Sequence, residues 1–464
     1  MSIAKKLMTT GATEGTYVDD VFSTYVYTGT GAPQDINNGI DLAGEGGLVW
    51  IKNRSSGSSS SGWAGHFLFD TERSPTNSDN MYYLQSNSTN GQGGTNVDTA
   101  RDFGGWGSNG FALGTPFSMG AVAVNGSNED YASWTFRKEP KFFDMVTYTG
   151  NGLPEGQGQT IPHGLSQEPG FIIVKSYTNQ SAWRCYHRGL FSAGDVADKY
   201  MLLNEAEKVN TTGGAAAWNN TFPTSTEFTA GSNINTSGAE YVAYVFAHDE
   251  SDESLIKCGS YTGTGAVDNE IDIGFEPQWI LIKSTTQTKS WLMFDNMRGV
   301  VTGGADSLLY ANLSSAEEDN KEWLSFNPNG FTLSGTNDTG KAGAYNGSGD
   351  SYIYMAIRRP NKPAEEFEPD ELFNTTVSAG TGVNDSITGL GFAPDVCLTV
   401  SGFGGFIESR LTGSGYMETP SSSPEVDGSG YGLTSWDQDG VSLGTDSGWN
   451  GGGFGDYGNW FWRR

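Results

Sequence analysis

The sequence predicts an all-β protein: four tandem antiparallel β-sandwich repeats, of lectin-like jelly-roll type, behind a short N-terminal arm. Three observations predict it. A long motif series recurs four times, each repeat closes on a strand-like alternation, and the composition is that of a loop-rich, aromatic-cored chain. The 464 residues include 66 Gly, 13 Trp, 20 Tyr and 25 Phe, with 26 Lys and Arg against 54 Asp and Glu, a net charge of −28. Glycine is twice its ordinary share, and the aromatic content excludes a disordered acidic tail.

The repeats are read from their ends. DYASWTFRK (130–138), EYVAYVFAH (240–248), SYIYMAIRR (351–359) and DYGNWFWRR (456–464) share one pattern, with leading Tyr131, Tyr241, Tyr352 and Tyr457 at intervals of 110, 111 and 105 residues. YTGTG (27–31), YTGNG (148–152), YTGTG (261–265) and a degraded SAGTG (378–382) open the repeats. Units of 20–50 residues must stack to bury a core, whereas about 100 residues is ordinary sandwich size. The reading is therefore a string of autonomous domains: an arm over 1–22, then repeats over 23–142, 143–254, 255–368 and 369–464. An immunoglobulin-like sandwich is the alternative to the jelly roll.

Within each repeat, GGLVWIK (46–52), PGFIIVK (169–175), PQWILIK (277–283) and PDVCLTV (394–400) have strand length and β-forming residues. The first three end in Lys52, Lys175 and Lys283. Trp63, Trp183 and Trp291 each open a short aromatic stretch and are read as equivalent core positions. Asn109-Gly110 and Asn329-Gly330 mark tight turns. In the closing strand, Ala132, Trp134 and Phe136 lie on one face, as do Val242, Tyr244 and Phe246, Ile353, Met355 and Ile357, and Gly458, Trp460 and Trp462. This apolar face is expected to point into its own sandwich, with the mixed face semi-buried or at a domain contact. Six to eight strands per unit are expected. Short helices are expected at Ile3–Met8, Ala316–Trp323 and Pro369–Phe373. Phe142 and Phe143 suggest a stiff junction that makes the first two units a rigid pair. The proline- and acid-rich string 358–373 suggests a solvated linker before the fourth unit.

Charge and composition oppose several functions. No Lys/Arg cluster offers a phosphate-binding surface, so nucleic acid is not expected as a partner, and no apolar run approaches membrane-spanning length. Cys185, Cys258 and Cys397 are too sparse for a disulfide framework and suggest reduced thiols. The start has no apolar stretch of signal-peptide type. The acidic clusters 249–253, 317–319 and 365–366 fall in loops or linkers, and are read as solvated rather than as a paired-carboxylate hydrolase site. His66, His163, His187 and His248 show no metal-ligand spacing, and their exchange with apolar residues between repeats suggests packing. The sequence is read as not an enzyme, with no catalytic, cofactor or metal residue and no cofactor. Asn-Gly loops ending in an acid, NGSNED (125–130), NGSGDS (346–351) and NGGGFGDY (450–457), admit calcium but are read first as turns capped by Asn. Trp106, Tyr177, Trp218, Tyr345 and Trp449 are the residues that could stack on glycan, or else close the sandwich ends.

The segments MSIAKKLM (1–8), YVDDVFSTYVYTGTG (17–31), INNGIDLAGEGGLVWIKNR (36–54), DYASWTFRK (130–138) and FFDMVTYTG (142–150) resemble a family of phage virion proteins: the tandem domain of unknown function in structural and tail-fibre-like proteins of marine cyanobacterial and related tailed phages. The resemblance covers nearly the whole chain and is weakest in the fourth repeat. It names no active-site residue. It implies a tail- or fibre-associated virion structural protein, made in the host cytoplasm, with further repeats past Arg464. Its expected partners are other virion proteins bound through the arm, a symmetric homo-oligomer, with a trimer favoured, and host-surface glycan. A capsid-surface fibre or decoration is the alternative, and a polysaccharide depolymerase a remote one.

Overall fold

The computed structural model describes residues 16–55, 64–75, 81–94, 103–115, 124–213, 215–335, 343–360, 372–402, 404–413, 415–419, 421–427, 432–453 and 455–463. The helix expected at Ile3–Met8, most of the arm and Trp63 lie outside these residues. In the first unit the strands are β1 (Phe22–Thr28), β2 (Gln34–Asn37), β3 (Gly47–Asn53), β4 (His66–Asp70), β5 (Tyr83–Leu84), β6 (Phe103–Gly107), β7 (Gly110–Leu113) and β8 (Asp130–Arg137). They form a large sheet of order β1-β8-β3-β4-β5 and a small sheet of order β2-β7-β6. The first strand pairs with the last and the second with the seventh, so the two antiparallel sheets face each other as a β-sandwich, and the β3–β4–β5 meander widens the large sheet. Between the sheets, Ile36, Phe111 and Leu113 meet Val49, Ile51, Phe67, Phe69 and Tyr131.

The plan recurs four times. The second unit pairs a five-stranded sheet with a two-stranded one, the third repeats the arrangement of the first, and the fourth has six strands facing three. The four end-strand tyrosines occupy one place. The hydroxyls of Tyr131, Tyr241, Tyr352 and Tyr457 accept from the backbone N–H of Gly126, Thr236, Gly347 and Gly451, at 2.9, 3.0, 2.8 and 3.0 Å.

The opening glycines have an equally repeated reason. A Cβ on Gly29, Gly150, Gly263 or Gly380 would stand 2.1–2.3 Å from the carbonyl oxygen of Gly126, Thr236, Gly347 or Gly451. Two residues on, Gly31, Gly152, Gly265 and Gly382 have φ of 69–72°, where side chains are strained.

The units are not separate beads. Ala132, Trp134 and Phe136 do not point into their own sandwich. With Leu48, Trp50, Leu68 and Leu84, they join Val242, Tyr244 and Phe246 of the second unit and Ile353, Met355 and Ile357 of the third in one shared core. The mixed face, including Tyr131 in the first unit and Tyr352, Tyr354 and Ala356 in the third, faces the local small sheet. The expected orientation is thus reversed. The physical reason is that a 110-residue sandwich here leaves a second apolar face on its large sheet. Three such faces remove one another from water, at about 1.5–3 kcal/mol for each large side chain fully buried. The expected rigid pair is a rigid trio. The end of the expected arm belongs to it, because the helical turn Val18–Val21 places Val18 and Val21 in the shared core.

Two local expectations also change. Residues 316–323 form no helix; Glu317 N–H donates to Arg54 O of the first unit at 3.0 Å and Glu318 pairs with Leu308. Phe373 opens a strand, Phe373–Ala379, and residues 361–371 lie outside the described residues.

Candidate functional site: a threefold junction within one chain

Strand register makes the junction positions equivalent. Trp50 pairs with Trp134, Ile173 with Tyr244, and Leu281 with Met355. One pair further along lie Leu48 opposite Asp70, Phe171 opposite His187, and Trp279 opposite Asp295. The contacts between units then run in a circle. Trp134 Nε1–H of the first unit donates to Asp295 Oδ2 of the third at 3.0 Å. Tyr244 O–H of the second donates to Asp70 Oδ2 of the first at 2.7 Å. The third unit offers Met355, which has no proton to give. The facing position of the second unit is His187 rather than aspartate, and its Nε2–H donates to Tyr354 O at 3.0 Å.

A second circle surrounds the first. Trp183 Nε1–H donates to Gln85 O and Ser88 O of the first unit at 3.0 and 2.9 Å. Trp291 Nε1–H donates to Leu202 O of the second at 2.9 Å. The equivalent first-unit residue is His66, not the expected Trp63. His66 Nε2–H donates to Tyr310 O of the third at 2.9 Å, while its Nδ1 accepts from Trp50 Nε1–H at 2.9 Å. Asn87, Asn204 and Asn312 fix these three residues by accepting from their backbone N–H at 2.9–3.0 Å. The backbone closes a third circle: Gln92 N–H to Tyr177 O, Val209 N–H to Thr285 O, and Glu317 N–H to Arg54 O, at 2.8, 3.1 and 3.0 Å.

The electrostatics follow from burial. Asp70 and Asp295 are each held by an arginine three residues on, Arg73 and Arg298, with Nε–Oδ2 distances of 2.6 Å. These buried pairs are satisfied by further bonds, as such pairs must be. Burial would raise Glu317, but Arg54 and Arg298 outweigh it and hold its carboxyl below the usual range. It bridges the first and third units, so it is not the solvated loop acid expected from sequence. Burial pushes His187 down to about 3 and His66 well below its ordinary value, the latter assisted by Lys52. Both imidazoles are neutral donors here.

Lys283 and Lys52 are pushed down to about 7, and Lys175 to about 8, by burial first. Lys175 reaches Thr89 O of the first unit and Lys283 reaches Ala206 O of the second, both at 3.1 Å. Of the lysines that end the three sequence motifs, Lys175 and Lys283 therefore bridge units, whereas Lys52 bonds Asn53 O of its own unit.

The Asn-Gly loops have a structural account. Asn125 Oδ1 accepts from Thr30 N–H and Gln34 Nε2–H, while its Nδ2 donates to Ala32 O and Gly114 O, all within 2.7–2.9 Å. Asn346 and Asn450 repeat this pin on Thr264 and Thr381, and Asn235 a reduced version on Asn151. Their side chains are thus committed to the TGTG loops. Among the described residues, no group of three His, Cys, Asp or Glu side chains could hold a metal ion.

The aromatic candidates separate likewise. Trp106, Trp218, Tyr345 and Trp449 are buried, and Tyr177 is half-buried, so the first four close sandwich ends. His163 accepts from Leu165 N–H within the second unit, whereas His248, beside Arg188 and Glu250, accepts at Nδ1 from Cys258 N–H of the third unit at 3.2 Å. All three cysteines are free and buried. No described helix is long and apolar enough to cross a membrane.

A feature not legible in the sequence is a polar cleft of about 700 Å³ where the first, third and fourth units meet, lined among others by Tyr25, Arg54, Arg298, Trp436, Asp437 and Asp439. It is made by residues far apart in the chain, and no spacing announces it.

Comparison with curated proteins and with solved structures returns no match. A family model described as a domain of unknown function (DUF7483) matches residues 18–360. That span begins at the helical turn whose valines enter the shared core and ends after the third unit's closing strand, so the matched region coincides with the closed trio. The chain belongs to the DUF7483 family.

Proposed function

We propose that this chain is a virion structural protein, tail- or fibre-associated, that serves as a stiff spacer and displays surface for host glycan. The observation that supports this most is the use made of its reactive side chains. His66, His187, Asp70, Asp295, Lys175 and Lys283 hold units to one another, as befits a load-transmitting scaffold. The resemblance of 1–54 and 130–150 to phage virion repeats supports the same reading. Localisation in the particle, after synthesis in a reducing cytoplasm, accords with three free buried thiols.

Because four of the five aromatic candidates are buried, we place the glycan contact in the polar cleft. There Trp436 and Tyr25 supply flat apolar surface, and Arg54, Asp437 and Asp439 supply hydrogen-bonding groups.

Mass spectrometry and immunogold labelling of purified particles test the reading. Label along the tail or its fibres is expected; label on the head supports the decoration alternative, and absence from the particle overturns the proposal. A glycan array with wild type and Trp436→Ala tests the cleft. Release of reducing ends from host polysaccharide would favour the depolymerase instead.

A further inference from the structure

The fourth unit carries the same large-sheet face that the first three use to close on one another. Register assigns its residues one by one. Val396 stands at the place of Leu48, Leu398 at Trp50, Ile407 at Leu68 and Met417 at Leu84. Phe373 and Val377 stand at Phe22 and Val26, and Gly458, Trp460 and Trp462 at Ala132, Trp134 and Phe136. All the first-unit counterparts belong to or pack against the shared core. In the fourth unit the face is open: Val377 is 73 % exposed, Met417 53 % and Trp462 38 %. Its own sandwich core lies on the other side, around Cys397, Phe406, Val441 and Phe461. Among the described residues, the end of the face near Val396, Ser409 and Trp462 borders the third unit, across a cavity of about 170 Å³.

We propose that this face binds the same face of two further copies of the chain, so that three fourth units from three chains build a junction like that formed by the first three units within one chain. Continuity with that interface carries the inference. The trio is complete with three members, so the fourth unit cannot enter it, yet it keeps the apolar face at every equivalent strand position. The changes at the special positions suit identical partners. The motif-ending lysines are replaced by Val400, paired opposite Gly458 as Lys52 is opposite Ala132. The place of Asp70 and Asp295 is taken by Ser409, opposite Val396. An aspartate there in three identical copies would need three arginines, whereas a serine needs none. Trp460, at the place of Trp134, carries an Nε1–H that in a symmetric closure meets Ser409 Oγ of the neighbouring copy. None of the face residues named is charged, so closure buries no unpaired ion. A flat apolar sheet face of this kind marks an interaction surface, and a closed ring is the form that leaves none of it bare.

The test is the mass of the full chain in solution by sedimentation velocity and light scattering, across a concentration series. The expected species is three times the 49.6 kDa chain. Val377→Lys and Met417→Lys, at exposed positions that the fold does not need, should each weaken assembly about tenfold or more. Val267→Lys, exposed in the third unit, should leave it intact. A Ser409→Cys, Trp460→Cys double variant should give a disulfide-linked trimer on oxidation, and neither single variant should. A monomer at the highest soluble concentration overturns the proposal, and so does an oligomer that both face variants leave unchanged. A stable dimer overturns the threefold closure. None of these outcomes depends on where the protein acts, so localisation to the particle and this interface stand or fall separately.

Discussion

Tyr244 and Asp70 lie 174 residues apart in sequence, and the tyrosine hydroxyl donates to the carboxylate at 2.7 Å inside the shared core. Neither partner is exposed, and Arg73 holds the same oxygen. Tyr244→Phe should cost about 1.5–3 kcal/mol, the range for a bond to a charged group. Trp134→Phe should cost more, because it also loses packing and the stacking of Arg298 on its ring. Met355→Leu, at the equivalent place in the third unit, should cost under about 1.5 kcal/mol, since it exchanges one apolar side chain for another of similar size. Urea unfolding of the three variants checks the order.

The junction gives stability a pH signature whose sign can be worked out. In the fold His187 titrates near 3, against 6.5 in the unfolded chain. Between those values the unfolded chain binds more protons, so stability falls as pH falls through that window. Lys283 titrates near 7 in the fold against 10.5 unfolded, so stability should rise from pH 7 towards 10. Above pH 10 the gain reverses, because buried tyrosines such as Tyr352, pushed up to about 12, keep their protons longer than the unfolded chain does. Melting temperature against pH should therefore peak near 9–10, and Lys283→Met should flatten the rise above pH 7.

Gly150→Ala should destabilise by more than about 2 kcal/mol, since the new Cβ would meet Thr236 O at 2.2 Å. Because the second unit shares its core with two others, the whole trio should melt earlier. Gly380→Ala meets Gly451 O at the same distance, but only the fourth unit's transition should move. Calorimetry resolves the two cases.

Asn346→Ala removes the side chain that pins Thr264, Ala266 and Ser334. A loss of about 2–4 kcal/mol is expected, from buried groups left without partners. Added calcium should not restore it, nor shift the wild-type melting temperature. A calcium-dependent shift would show that these loops bind the ion.

A chain ending at residue 360 should unfold in one cooperative transition, and residues 143–254 alone should not fold as a soluble monomer. The isolated unit would expose Phe143, Phe171, Tyr244 and Phe246, all buried in the trio. Circular dichroism and light scattering of the two shortened chains distinguish a shared core from separate beads.

Much of the fold is legible in the sequence because its markers have strict local causes. The four tyrosines recur since each holds one backbone N–H, and the paired glycines recur since a carbonyl oxygen occupies the space of their Cβ. What the sequence hides is direction. Alternation along DYASWTFRK separates Trp134 from Tyr131 but does not say which faces the local small sheet, and the more apolar side turns out to face the neighbours. Spacing also misplaces the junction residue of the first unit: Trp63 resembles Trp183 and Trp291 by type, yet strand register assigns their place to His66. Residues such as Trp449 look exposed in a Gly-rich string because composition does not reveal that Phe406 and Tyr416 pack over them.

In the junction, the exchange of an aspartate for His187 opposite Met355 has a wider meaning. In an assembly of three identical subunits, any change at the axis appears three times and must suit itself. Here each wall is encoded separately, so a change in one can be answered by a single change in the next. Joining the three subunits into one polypeptide removes the demand for self-compatibility, and each sector's outer loops can diverge while the hub stays closed.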